Sequence, residues 1–120
     1  MRIRHLCDCP EFIASDLTRL RELLHPDRDY PFEGRYSLAH AVVSPGGQSR
    51  RHRLNTDEVY YVLSGRGRMY VDDESAEVGP GDALEIPPSS VQWIENIGPD
   101  ELAFLCIVDP AWLAKDEGVI

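Results

Sequence analysis

Residues 45 to 65 read Pro-Gly-Gly-Gln-Ser-Arg-Arg-His-Arg-Leu-Asn-Thr-Asp-Glu-Val-Tyr-Tyr-Val-Leu-Ser-Gly, and the fold turns on this stretch. Pro45-Gly46-Gly47 opens it and Ser64-Gly65 closes it, both with the φ-restricted and φ-permissive residues that tight reversals need. Between them lies a run rich in Val and Tyr, the side chains that suit a pleated, half-buried surface. The same grammar continues outward, with Gly and Pro recurring every eight to twelve residues beyond Gly34. It predicts strands over Tyr36 to Val43, Arg51 to Leu54, Glu58 to Ser64, Gly67 to Val71, Ala76 to Val78, Ala83 to Ile86, Gln92 to Asn96 and Leu102 to Val108.

Many short strands in a small chain must deal with their open edges, and closure into a barrel or a two-sheet jelly roll is the usual solution. At 120 residues the chain is one domain, 1–120, with a barrel core over about 34–109. Upstream, Leu17, Leu20, Leu23 and Leu24 recur at helical spacing behind a potential Asp16 cap, while Thr18 to Leu24 reads equally as a strand ended by His25-Pro26-Asp27. Periodicity does not separate the two in so short a segment. Lys115 to Ile120 is expected to be loose, and Asp109-Pro110-Ala111-Trp112 to serve as a lid or an anchor between subunits.

Composition narrows the partners. With 21 acidic against 12 basic residues the net charge is −9, which repels a phosphate backbone, so nucleic acid is not expected. No apolar stretch approaches the roughly 20 residues that span a bilayer, and no secretory signal opens the chain. Three cysteines, Cys7, Cys9 and Cys106, make no disulfide framework, and a reducing, cytoplasmic setting is expected. Cys7-x-Cys9 offers only two soft ligands and no closed metal site. Arg50, Arg51 and Arg53 read as a solvated edge, with steering of an anion as the alternative.

Gly46, His52, Glu58 and Gly65 resemble the first motif of the cupin superfamily: a glycine, a His-x-His pair, a glutamate and a second glycine at set spacings. Leu54 stands where the second histidine would be, a side chain with no lone pair for a metal. Gly81, Pro87 and Asn96 resemble the second motif, with Ser89 in place of its inner glycine and Gln92 in place of its histidine. The resemblance covers residues 46 to 96 and implies an all-β double-stranded β-helix, the jelly-roll barrel.

Side chains alternate across a strand, so His52 shares a face with Leu54, Glu58 with Tyr60 and Val62, and Gln92 with Ile94 and Asn96. The resemblance points these faces into the barrel. There His52, Glu58 and Gln92 would hold a divalent metal, Mn, Fe, Ni or Zn, with no organic cofactor indicated. The alternative is a buried, hydrogen-bonded His–Glu pair with no metal. His52, Glu58 and Tyr60 are the catalytic candidates, and His40, Leu54, Tyr60, Phe104 and Cys106 the expected pocket residues.

Cupins include isomerases, lyases, dioxygenases and plain binding domains, so the fold does not fix the function. Three readings follow. One is a metal-dependent enzyme acting on a small polar, sugar-derived or carboxylate-bearing molecule. Another is a cupin that binds a small ligand without turnover. The third is a metal-free enzyme with His52 or Glu58 as general base. Under each a homodimer is expected, with Thr18 to Leu24 at its interface.

Overall fold

The computed structural model describes residues 1–120 and contains no α-helix. Eleven strands form in chain order: β1 (Phe12–Ile13), β2 (Arg19–Leu24), β3 (Ser37–Val43), β4 (His52–Leu54), β5 (Asp57–Ser64), β6 (Gly67–Val71), β7 (Glu74–Val78), β8 (Ala83–Ile86), β9 (Gln92–Asn96), β10 (Leu102–Asp109) and β11 (Glu117–Val119). They build two antiparallel sheets, one ordered β1-β2-β3-β10-β5-β8 and the other β11-β4-β9-β6-β7. Packed face to face, these sheets form the jelly-roll barrel.

Thr18 to Leu24 resolves as a strand, because residues 19–24 add to the edge of β3, with Leu20 opposite Ala41 and Glu22 opposite Ala39. Tertiary pairing therefore overrides the helical spacing of the leucines. The expectation of a loose C terminus is corrected. Ala114–Asp116 makes a 3₁₀ turn, and β11 then pairs with β4, setting Val119 opposite His52. So short a strand containing Gly118 has little signal of its own and exists through its distant partner.

The inner faces divide the barrel into two ends. Val43 and Leu102 face each other at one end, where Val62, Ile94 and Phe104, fully buried, fill the interior. Asn96 fastens this end, donating from Nδ2 to the carbonyls of Val43 (2.9 Å) and Asp100 (2.8 Å) and accepting from the Gly98 amide. Gly65 turns the chain there at φ +86°, and a Cβ would meet the Glu101 carbonyl oxygen at 2.5 Å, so no other residue fits. At the opposite end, Ser37, Glu58 and Val108 lie level with one another, and the interior becomes polar and hollow.

Candidate functional site

The hollow end is a cavity of about 280 Å³. Ser37 and Ala39 from β3, Glu58 and Tyr60 from β5, Cys106 and Val108 from β10, and His52 from β4 make its walls, with Leu20 and Glu22 from β2 at one side. Both ends of the chain roof it. Residues 12–16 cross from one direction, while Trp112 and Glu117 come from the other.

His52 is buried at 2% exposure on β4, between Gln92 of β9 and Val119 of β11. Its Nδ1 lies 2.7 Å from the Arg50 carbonyl, which only accepts, so Nδ1 carries the proton. Nε2 faces the cavity with no hydrogen-bond partner, 3.9 Å from Asp16 Oδ2. Glu58, also buried, accepts from Gln92 Nε2 at 2.8 Å, and the Tyr60 hydroxyl donates to Gln92 Oε1 at 3.2 Å. Burial pushes the Glu58 carboxyl up to about 8; the Gln92 hydrogen bond opposes this, and Asp16 and Glu117 add to it. Desolvation, reinforced by the Glu58 charge, also raises Tyr60 and Cys106 well above their usual values, leaving a phenol and a thiol on the wall.

The roof is built from hydrogen bonds. Leu17 at φ +76° reverses the chain after Asp16, whose Oδ1 accepts from the Thr18 amide (3.1 Å) and hydroxyl (2.7 Å), leaving Oδ2 turned toward His52. Glu117 accepts from the Ser15 hydroxyl and from Trp112 Nε1, joining the two ends of the chain. Trp112 is fixed through its backbone: its amide donates to Ser37 Oγ at 3.0 Å, and its carbonyl accepts from His25 Nε2 at 2.7 Å. His25 Nδ1 in turn accepts from the Asp27 amide, so this fully buried ring is hydrogen-bonded at both nitrogens.

Of the residues singled out in the sequence, His52, Glu58, Tyr60 and Cys106 meet on the cavity wall. Leu54 and Phe104 are buried but do not line it: Leu54 pairs with Glu117 on β11, and the Phe104 ring packs on Tyr60 with centroids 4.5 Å apart. His40 lies on the outer face of β3, because Ser37, Ala39, Ala41 and Val43 take the inward positions. Burial and the neighbouring Arg21 lower its pKa. Asp16, Glu117 and Ser15 were not legible as site residues, since only the paths of the two chain ends bring them over the barrel. Trp112, from the segment read as a lid or an anchor between subunits, is among the residues lining the cavity.

A metal held by His52, Glu58 and Gln92 does not fit this arrangement. Both ends of the Gln92 amide are committed to Glu58 and Tyr60, which makes it an orienting group. No three His, Cys, Asp or Glu side chains come together as a ligand group. Two donors, His52 Nε2 and the second Glu58 oxygen, are fewer than the coordination that carboxylate- and imidazole-bound divalent ions take.

The cupin domain pattern matches residues 39–108 of this chain. The chain belongs to the cupin family. An uncharacterized protein of Methanocaldococcus jannaschii is 40% identical to this cupin over 111 residues, spanning 91% of the chain and 86% of that protein. Among solved structures, the polyketide cyclase RemF from Streptomyces resistomycificus superposes with a TM-score of 0.76 at 25% identity, covering 97% of this cupin and 89% of RemF. A predicted oxalate decarboxylase from Thermotoga maritima gives a TM-score of 0.78 at 19% identity, with 91% and 99% covered. A Cupin 2 conserved barrel domain protein from Salinispora arenicola gives 0.75 at 22% identity, with 96% and 91% covered. These neighbours carry different activities on one barrel, and the specific activity of this cupin has to be sought in its own cavity.

Proposed function

We propose that this cupin takes a small polar molecule into the roofed end of its barrel, and that His52 and Glu58 act on it by proton transfer without a resident metal. One observation carries the reading: the two side chains share an enclosed wall, one presenting an uncommitted ring nitrogen and the other a carboxyl held protonated by burial. His52 Nε2 accepts a proton and Glu58 returns one, a division of roles that suits isomerase or lyase chemistry. Tyr60 and Gln92 position Glu58 through their hydrogen-bonded chain.

The metal-dependent reading has one feature in its favour, the Nδ1–H bond to Arg50, which aims His52 Nε2 as a donor. Elemental analysis of untagged protein decides between the two. Metal content well below one ion per chain, with stabilisation by small polar compounds that His52→Ala abolishes, is expected. Near-stoichiometric Mn, Fe, Ni or Zn that falls in both Glu58→Ala and Gln92→Ala would replace this reading with the metal-dependent one. Binding without turnover in every assay would leave a ligand-binding cupin.

The partner we propose for the outer face of the larger sheet is a second copy of the chain. Tyr61, Leu63 and Ile107 stand exposed there beside Leu38, Val42, Val59 and Leu105. Unpaired Arg21 on β2 flanks one side of this apolar field, and unpaired Glu85 on β8 flanks the other. A two-fold axis along the middle strand, β10, brings the β2 edge of each copy, with Arg21, across from the β8 edge of the other, with Glu85 two residues along from the level of Arg21.

A further inference from the structure

The cavity is supplied with acceptors and short of donors. Most of its side-chain donors are engaged by protein: Arg28 holds Glu22 through Nε (2.6 Å) and Nη2 (3.2 Å), Ser15 and Trp112 donate to Glu117, and Tyr60 donates to Gln92, which leaves the Ser37 hydroxyl and the Glu58 carboxyl proton. The lone pairs left facing inward belong to His52 Nε2, to Asp16 Oδ2 and to the second oxygen of Glu58. His52 is 2% exposed, and its unpartnered nitrogen is reached from the cavity it lines. Glu58 serves as an acceptor in either protonation state, because a carboxylic acid keeps lone pairs on both oxygens.

Charge points the same way. Four carboxyl groups, Asp16, Glu22, Glu58 and Glu117, line the cavity against one guanidinium, Arg28, which Glu22 neutralises. An anion entering here would face the carboxyl groups of Asp16, Glu22 and Glu117 at short range, with the one guanidinium already paired. The remaining wall is apolar, with Phe12, Ile13, Leu20, Val108 and Trp112, a surface for a hydrocarbon stem. Because the acceptors are spread along the wall and do not converge into a metal-ligand group, they match a molecule with several N–H donors better than a single ion.

We propose that the ligand of this cavity is an organic cation, a small amine with an aliphatic stem, bound by His52, Asp16 and Glu58. This rests on the reading of the cavity as a small-molecule site and specifies its ligand class, against the carboxylate-bearing substrate that the sequence also allowed.

Three four-carbon probes of matched length test it: 1,4-diaminobutane, 1,4-butanediol and succinate, each titrated into the full chain in EDTA while tryptophan fluorescence, from Trp93 and Trp112, and thermal stability are followed. The diamine is expected to bind at least tenfold more tightly than the diol, with no response to succinate. Asp16→Asn and, independently, His52→Ala should each weaken the diamine at least tenfold while circular dichroism shows the barrel folded. Succinate or diol binding as tightly as the diamine overturns the ligand class and leaves the cavity as a binding site. Diamine binding that neither variant weakens places it on the acidic surface and overturns the proposal. No response to any of the three overturns both the ligand class and the cavity reading. Replacing EDTA with Zn²⁺ completes the test: displacement of the diamine at one Zn²⁺ per chain would assign the acceptors to a metal.

Discussion

Gln92 and Glu58 belong to different sheets, and the 2.8 Å bond between their side chains crosses the interior of the barrel. Through it a buried carboxyl gains a partner from the opposite wall, and the Tyr60 hydroxyl keeps the amide from turning over.

The first prediction concerns pH. Glu58 ordinarily titrates at 4.5 and in the fold at about 8, so between these values the unfolded chain sheds a proton that the folded chain keeps. Below 4.5 both states are protonated and stability is fully present; as pH rises through 8 it is lost, by at most ~5 kcal/mol. Urea midpoints measured from pH 4 to pH 9 should fall, and Glu58→Gln should flatten the curve and be the more stable form at pH 9. A wild-type curve without a Glu58-dependent fall would remove the buried neutral carboxyl.

Gln92→Leu should act through the same bond. It removes a donor from Glu58 and an acceptor from Tyr60, two buried groups that then lack partners, costing about 1–3 kcal/mol for each. Because the Gln92 bond lowers the Glu58 pKa, the fall in stability with pH should also move to higher pH in this variant.

Ser89 marks a local strain. It occupies the position of a motif glycine at φ +66°, where its amide donates to the Leu54 carbonyl at 2.8 Å. Ser89→Gly should raise stability by about 0.5–1 kcal/mol in chemical denaturation. Gly65→Ala should instead prevent recovery of folded protein, since its Cβ meets a backbone oxygen, whereas Gly81→Ala, with φ +89° and open space around it, should cost about 1 kcal/mol.

Dimerisation is checked by light scattering. Ile107→Asp places a charge in the apolar outer face of β10 and should convert a dimer to a monomer with the fold retained. Arg21→Glu should weaken the dimer, and Arg21→Glu combined with Glu85→Arg should restore it. A wild-type monomer at micromolar concentration would end this expectation.

The barrel was largely legible in the sequence because turn residues and β-branched runs are local signals. Gly67 to Val71, Ala83 to Ile86 and Gln92 to Asn96 form with the boundaries expected of them, and the strands around them shift by a residue or two. Alternation gave the residues that share a face with His52, Glu58 and Gln92, and the cupin resemblance pointed those faces inward. The orientation of the Gln92 amide did not, since it depends on Tyr60 and Glu58 from another sheet. His40 illustrates the parity problem: it faces outward because β3 begins its inward series at Ser37, and one residue of register reverses every side chain. Asp16 and Glu117 were hidden for a different reason, as neither sits in a motif and both reach the cavity through long-range pairing.

The bond from Ser15 to Glu117 spans 102 positions of sequence. Strands β3 to β10 pair with one another without residues 112–119, whose one ladder is β11 on β4. The barrel and its roof are therefore separable, and a chain stopped short of Glu117 would have strands β3 to β10 and an open mouth.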